Sequence, residues 1–149
     1  MMGEDPRDTG LKAYADFFAS LSPERVEDLR RFCTPDVRFR DPFNEVRGID
    51  AVLRVFRKMY EDADQIRFEI VDSMRRGERA MLLWKFHCRP KSLRLKEPWL
   101  IEGVSEIHLT PDGHVAAHLD HWDAGSQFYA RLPIVGAIIR ALRKRLHVD

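Results

Sequence analysis

A chain of 149 residues with net charge +1 is sized for one domain and carries no charge excess that would mark a nucleic-acid binder. Hydrophobic residues at 44% and charged residues at 33% fit an ordinary soluble globular protein whose core needs no staples. The two cysteines, Cys33 and Cys88, form no metal or redox motif, no apolar run approaches the roughly 18 residues of a membrane span, and the N-terminus lacks a signal-peptide core. A cytoplasmic location is expected.

Residues 1–9 are polar, with Gly and Pro, and read as a loose N-terminus. Leu11, Tyr14, Ala15, Phe18 and Leu21 recur at helical spacing, with Phe17 widening the stripe. Ser22-Pro23 opens a second helix that would bury Val26, Leu29, Phe32 and Cys33. A short strand over 37–41 and a loop from Pro42 to Gly48 precede a third helix carrying Ile49, Val52, Leu53, Phe56, Met59 and Tyr60 on one side. From Ile66 the period changes to two. Strands follow at 66 onward, 80–88, about 98–109 and 114–122, and the chain returns to helix from Ile134 to Leu146. Helices first and a strand meander afterwards predict an α+β fold with helices on one face of a mainly antiparallel sheet.

Two places carry chemistry. Strict alternation in Val37-Arg38-Phe39-Arg40-Asp41 puts Asp41 on the face of Val37 and Phe39, where an unpaired carboxylate is costly and its pKa rises. Asp before Pro42 is equally a common turn opening, with the carboxylate capping nearby amides. The last strand offers His118, Asp120 and Trp122 on one face and Val115, Ala117, Leu119 and His121 on the other; the apolar pattern alone sends Val115, Ala117 and Leu119 to the core, while the large apolar Trp122 beside His118 and Asp120 argues for the other face. His118, Asp120 and His121 include metal-ligand types, but His121 points the opposite way. No nucleophile triad or glycine-rich phosphate loop is spelled out. Neither metal nor cofactor is expected.

The order helix, helix, short strand ending in Asp-Pro, helix, four-strand meander resembles the nuclear transport factor 2-like superfamily. Within it, the chain is most similar to the steroid delta-isomerase and SnoaL-like polyketide cyclase branch. The carriers are Phe39-Arg40-Asp41-Pro42, Arg47-Gly48, Glu102-Gly103-Val104-Ser105 and His118-Leu119-Asp120-His121-Trp122-Asp123, spread over about residues 10–129. The resemblance implies a cone-shaped sheet with three N-terminal helices packed into its concave face around an apolar pocket. It places Asp41 at the position of the isomerases' proton-transferring carboxylate. It also turns His118, Asp120 and Trp122 inward and sends Val115, Ala117 and Leu119 to a convex, dimer-forming side. The isomerases' carbonyl-polarising tyrosine and aspartic acid fall on Phe17 and Ser105, with Tyr14 one turn away, so steroid isomerisation itself is not implied.

The expected function is therefore a small-molecule pocket protein, an isomerase- or cyclase-like enzyme moving protons on an apolar carbonyl-containing ligand. Asp41, His118 and Asp120 would be catalytic. Tyr14, Phe17, Phe18, Phe39, Phe56, Trp84, Ser105 and Trp122 would line the pocket. A non-catalytic carrier or sensor, or a structural dimerisation module, stands as the alternative. A homodimer is expected. The basic amphipathic segment 130–149 is expected to pack on the domain near the pocket mouth; contact with an anionic membrane surface is the less favoured reading.

Overall fold

The computed structural model describes residues 3–148. Helix α1 spans Pro6–Ala19, with Asp5 as N-cap accepting from the Arg7 amide and Pro6 at the first helical position. The helix thus starts inside the stretch read as loose, and Arg75 ties it down by bonding Asp5 and Asp8. Leu11, Tyr14, Phe17 and Phe18 form its buried face.

The second predicted helix is a 3₁₀ segment, Pro23–Arg31, burying only Val26 and Leu29. A spacing of three residues aligns side chains in a three-per-turn helix, which explains the change of type. Cys33 belongs instead to strand β1, Cys33–Arg40. The strand stops one residue before Asp41, which lies in the turn that follows, and the supposed loop contains strand β2, Glu45–Arg47. Helix α2, Ile49–Asp62, buries Val52, Leu53 and Phe56. Strands β3 (Ala63–Arg76), β4 (Arg79–Pro90), β5 (Trp99–Leu109) and β6 (Val115–His121) complete the sheet. A single-turn helix α3, Ala124–Gln127, and a 3₁₀ turn, Tyr129–Arg131, lead to α4, Pro133–Leu146.

The six strands run in the order β2-β1-β6-β5-β4-β3 without closing into a barrel; all neighbours are antiparallel except β1 and β6, which are parallel. Helix α1 packs on β3 and β5, and α2 packs on β1, β2 and β3. Register sets the functional rows. Phe39, His118, Ile107 and Ala80 are opposite one another across four strands; the next row holds Asp120, Ser105 and Leu82. Residues directly opposite share a face, so these rows converge on the side covered by the helices.

The outer face departs from simple alternation. The register shifts between His108 and Leu109 where they meet β6, leaving Ala116 extra. One inserted residue reverses the faces, and Val115 joins the core with no exposure. Ala117 and Leu119 do lie on the outer side, yet they are only 7% and 5% exposed within a single chain. Arg38, Arg40, His108 and Glu106 stand beside them in register. The stems of long charged side chains cover apolar neighbours well. The driving force for pairing through Ala117 and Leu119 is correspondingly smaller than alternation implies.

One close approach fixes how α1 sits. Gly10 faces the β5–β6 turn so tightly that a Cβ there would lie 2.0 Å from the Gly113 carbonyl oxygen. Gly10→Ala should therefore destabilise the fold by about 1–3 kcal/mol, although Ala is favoured over Gly inside a helix by up to about 1 kcal/mol. Urea denaturation reads the sign, and a stabilised variant would show that the contact is slack.

Candidate functional site

Between the helices and the inner face of the sheet lies a cavity of about 800 Å³. Phe18 from α1, Phe56 from α2 and Phe39 from β1 form its apolar end, with Trp84 from β4 opposite. Gly103 makes room for that indole, since a Cβ there would come 2.5 Å from the Trp84 ring. Phe68 and Phe86, stacked at 4.6 Å, continue the wall along β3 and β4. Phe43, Trp122, Phe128 and Tyr129 gather edge to face at one rim. Asp41, Asn44, Ser105, His118 and Asp120 all line the same space, and Lys58, Glu61, Asp62, Lys91 and Ser92 line it as well.

His118 is buried in a box of aromatic rings, 5.2 Å from Phe39, 5.5 Å from Phe18 and 5.7 Å from Tyr14. The Tyr14 hydroxyl meets its Nδ1 at 2.7 Å, and its Nε2 meets Asp120 Oδ1 at 2.8 Å. Burial holds the Tyr14 pKa well above its ordinary value, so the phenol keeps its hydrogen and donates it to Nδ1. The imidazole then carries its own hydrogen on Nε2 and donates to Asp120. Ser105 Oγ donates to the same Asp120 oxygen at 2.5 Å and accepts from Trp84 Nε1 at 2.8 Å. The result is one continuous chain from Tyr14 through His118, Asp120 and Ser105 to Trp84. It holds the carboxylate by Oδ1 alone, and Oδ2 has no hydrogen bond among the described residues.

Asp41 is held differently. Its Oδ1 accepts from the Phe43 amide at 2.8 Å and the Asn44 amide at 2.7 Å, an Asx turn that orients the carboxylate just past the end of β1. Asn44 Nδ2 adds a contact of 3.2 Å to Oδ1 and a longer one of 3.3 Å to Oδ2. The residue is thus a turn cap whose carboxylate also lines the cavity, with both oxygens within reach of Asn44 Nδ2. Burial raises its pKa, the bonds from Phe43 and Asn44 pull it back, and repulsion from Asp120 raises it again; the net direction is upward.

Nine of the eleven residues singled out from sequence line the cavity: Asp41, His118, Asp120, Phe18, Phe39, Phe56, Trp84, Ser105 and Trp122. Tyr14 stands behind His118, its hydroxyl beside the Cys33 thiol, whose pKa burial pushes up to about 12. Phe17 packs instead on Phe32 at 4.9 Å and under the Arg25 guanidinium. Other contributors, Phe68, Phe86, Asn44, Phe43, Phe128 and Tyr129 among them, are not in that set of eleven. Asn44 had a visible signal, an amide three residues after an Asp-Pro turn. Phe43, Phe128 and Tyr129 lie in short connections with no periodicity to place them.

The chain is a small α+β domain that encloses a largely apolar cavity lined also by acid/base side chains. A family model of the SnoaL-like domain matches residues 12–118, and the chain belongs to that family. No curated protein matches it significantly in sequence. Solved structures share the fold. A protein of Jannaschia sp. CCS1, provisionally assigned as a SnoaL-like polyketide cyclase, superposes with a TM-score of 0.70 at 12% identity, covering 85% of this chain and 93% of its own. An LEH-like epoxide hydrolase of M. tuberculosis gives 0.64 at 13% identity, covering 95% of each chain. A protein of Catenulispora acidiphila with a ketosteroid isomerase-like fold, bound to trimethylamine, gives 0.66 at 10% identity, covering 79% of this chain and 88% of its own. Identities this low speak to fold alone.

Proposed function

We propose that this protein is an isomerase- or cyclase-like enzyme that moves a proton on an apolar, carbonyl-containing ligand held in the cavity. The observation that carries this reading is Asp41: a carboxylate with raised pKa that lines the cavity, anchored to a turn by two amide bonds to Oδ1, while Oδ2 meets only the 3.3 Å contact from Asn44 Nδ2 among the described residues. A base for work near neutral pH needs that combination of fixed position and raised pKa. Oδ2 takes the proton from the carbon next to the carbonyl, leaving an enolate, and Asp41 then returns it at another carbon. In a cyclisation, the enolate carbon would bond to a second carbonyl carbon and the new alkoxide oxygen would take the proton that Asp41 had removed, which returns the carboxylate to its starting state. The donors that steroid isomerases use are missing. Ser105 spends its hydrogen on Asp120 and Tyr14 spends its hydrogen on His118, which favours cyclase-like over steroid substrates.

Nothing in this scheme calls for a metal or cofactor. A homodimer belongs to the same reading, its interface the half-buried Met81, Leu83 and Val104 on the outer face; sedimentation velocity reads it directly. A non-catalytic carrier is the second reading, favoured by the engagement of both His118 nitrogens and of Asp41 Oδ1 within the protein.

The discriminating experiment incubates the protein in D₂O with a panel of enolisable cyclic ketones and follows loss of the α-proton signal by NMR. Catalysed exchange in the wild type that disappears in Asp41→Asn supports the enzyme. Ketone binding with no exchange above buffer supports the carrier.

A further inference from the structure

Helix α4 is amphipathic, and it is mounted with the apolar side away from the domain. Its contacts with the rest of the chain include Gly136 and Arg140: the Gly136 site lies against the Ala130 carbonyl, Arg140 Nη1 donates to that oxygen at 2.6 Å, and Ile139 is half-buried. At 100° per residue, Ile138 lies about 200° around the helix from Arg140, on the opposite side. Ile134, Ile138 and Leu142 follow at intervals of four, flanked by Val135 and Leu146. All five are exposed, Ile138 at 58% and Leu142 at 53%. The expected packing of this stripe on the domain is not found.

The charge around the stripe is one-sided. Between Asp123 and Asp149 the sequence has no acidic residue, whereas Arg131, Arg140, Arg143, Lys144 and Arg145 are cationic. Arg131 and Arg140 are spent on backbone carbonyls, and Arg143 acts on Asp123. Lys144 and Arg145, in the last turn, make no ion pair among the described residues; at 100° per residue Arg145 falls in line with Ile138 within the stripe, and Lys144 lies about 200° from Leu142, on the opposite side. Apolar side chains outward, with the unpaired Arg145 among them on a helix that carries cations and no acid, are what an anionic bilayer surface takes up: the side chains enter the acyl boundary while the cations meet the headgroups.

We infer that α4 docks this protein on an anionic phospholipid surface, lying in the interface rather than crossing it. No helix among the described residues is long and apolar enough to cross a membrane. A second copy of the chain is the poorer occupant. A helix about 21 Å long offers an apolar face on the order of a few hundred Å², short of the roughly 800 Å² per partner of a stable interface, and pairing would bring two cationic segments together. The Tyr129 ring at the cavity rim belongs to the turn leading into α4, so docking would set that rim near the lipid. The inference does not depend on catalysis.

The test is vesicle flotation of the full chain with pure phosphatidylcholine and with phosphatidylcholine–phosphatidylglycerol mixtures at low and high salt. Binding is expected only to the anionic vesicles and should weaken as salt rises. Lys144→Gln with Arg145→Gln should lower affinity by about thirtyfold. Ile138→Ser with Leu142→Ser should lower it by about a hundredfold, while leaving the domain's circular dichroism and urea midpoint unchanged. No flotation of the wild type, or equal flotation of the serine variant, overturns the inference. So does sedimentation showing a stable dimer that the serine variant dissociates, which would assign the stripe to a second copy.

Discussion

Asp41→Asn is expected to cut proton transfer by about 10²–10⁴-fold while the protein stays folded and still binds its ligand. The asparagine keeps a carbonyl oxygen for the Phe43 and Asn44 amides, so the turn survives. The stability effect has a definite sign. Burial raises the pKa of Asp41 in the folded state above its value in the unfolded chain, so the folded state holds that proton more tightly. Below the unfolded value, about 3.9, both states are protonated and the carboxyl makes no difference. As pH rises through the folded pKa the ionised group costs the native state stability, and the cost stays constant above it. The variant should therefore gain in urea midpoint over the wild type near neutral pH and lose that gain in acid. A variant that unfolds, or that gains nothing at neutral pH, would mean that the carboxylate serves as a structural cap.

His118→Ala should be the most damaging single change in the site, costing about 3–5 kcal/mol. It strips Asp120 Oδ1 of one of its two donors and the Tyr14 hydroxyl of its acceptor. It also opens a void between Phe18 and Phe39. Desolvated groups left without partners cost more than the bonds themselves contributed. Chemical denaturation of the variant provides the number. A loss below about 1 kcal/mol would show that solvent already serves these groups.

Periodicity located most of the framework because the core is built by it. The alternation of Val37 and Phe39, of Leu82 and Trp84, and of Ile101, Ser105 and Ile107 is the alternation of the buried face. It failed where geometry is decided by one residue. The apolar pattern alone sends Val115, Ala117 and Leu119 to the core together and the family resemblance sends them out together; Ala116, an inserted residue in β6, splits the set, so that Val115 is in the core while Ala117 and Leu119 lie on the outer side. Asp41 was read as the last residue of a strand; the turn made by Pro42, Phe43 and Asn44 takes it out of the strand yet keeps it at the cavity. Tyr14 and Phe17 share a helix face with Phe18, but a helix face is wider than the cavity it covers, and only Phe18 reaches it. The amphipathic pattern of α4 was legible; whether its stripe turned in or out depended on Gly136, whose lack of a side chain lets the opposite side of the helix approach Ala130. Chemistry within the pocket came through best, since His118, Ser105 and Asp120 fall in adjacent register rows of neighbouring strands.

Direct titration of the Asp41 carboxyl carbon by carbon-detected NMR, in the protein without ligand, bears most immediately on the central claim. The account predicts a pKa above the roughly 3.9 of a free aspartate, rising further when an apolar ketone occupies the cavity and removes the remaining solvent. An Asp41 pKa below that value, unmoved by ketone, would contradict it, because the carboxylate would then be a hydrogen-bonded cap with no proton to exchange near neutral pH.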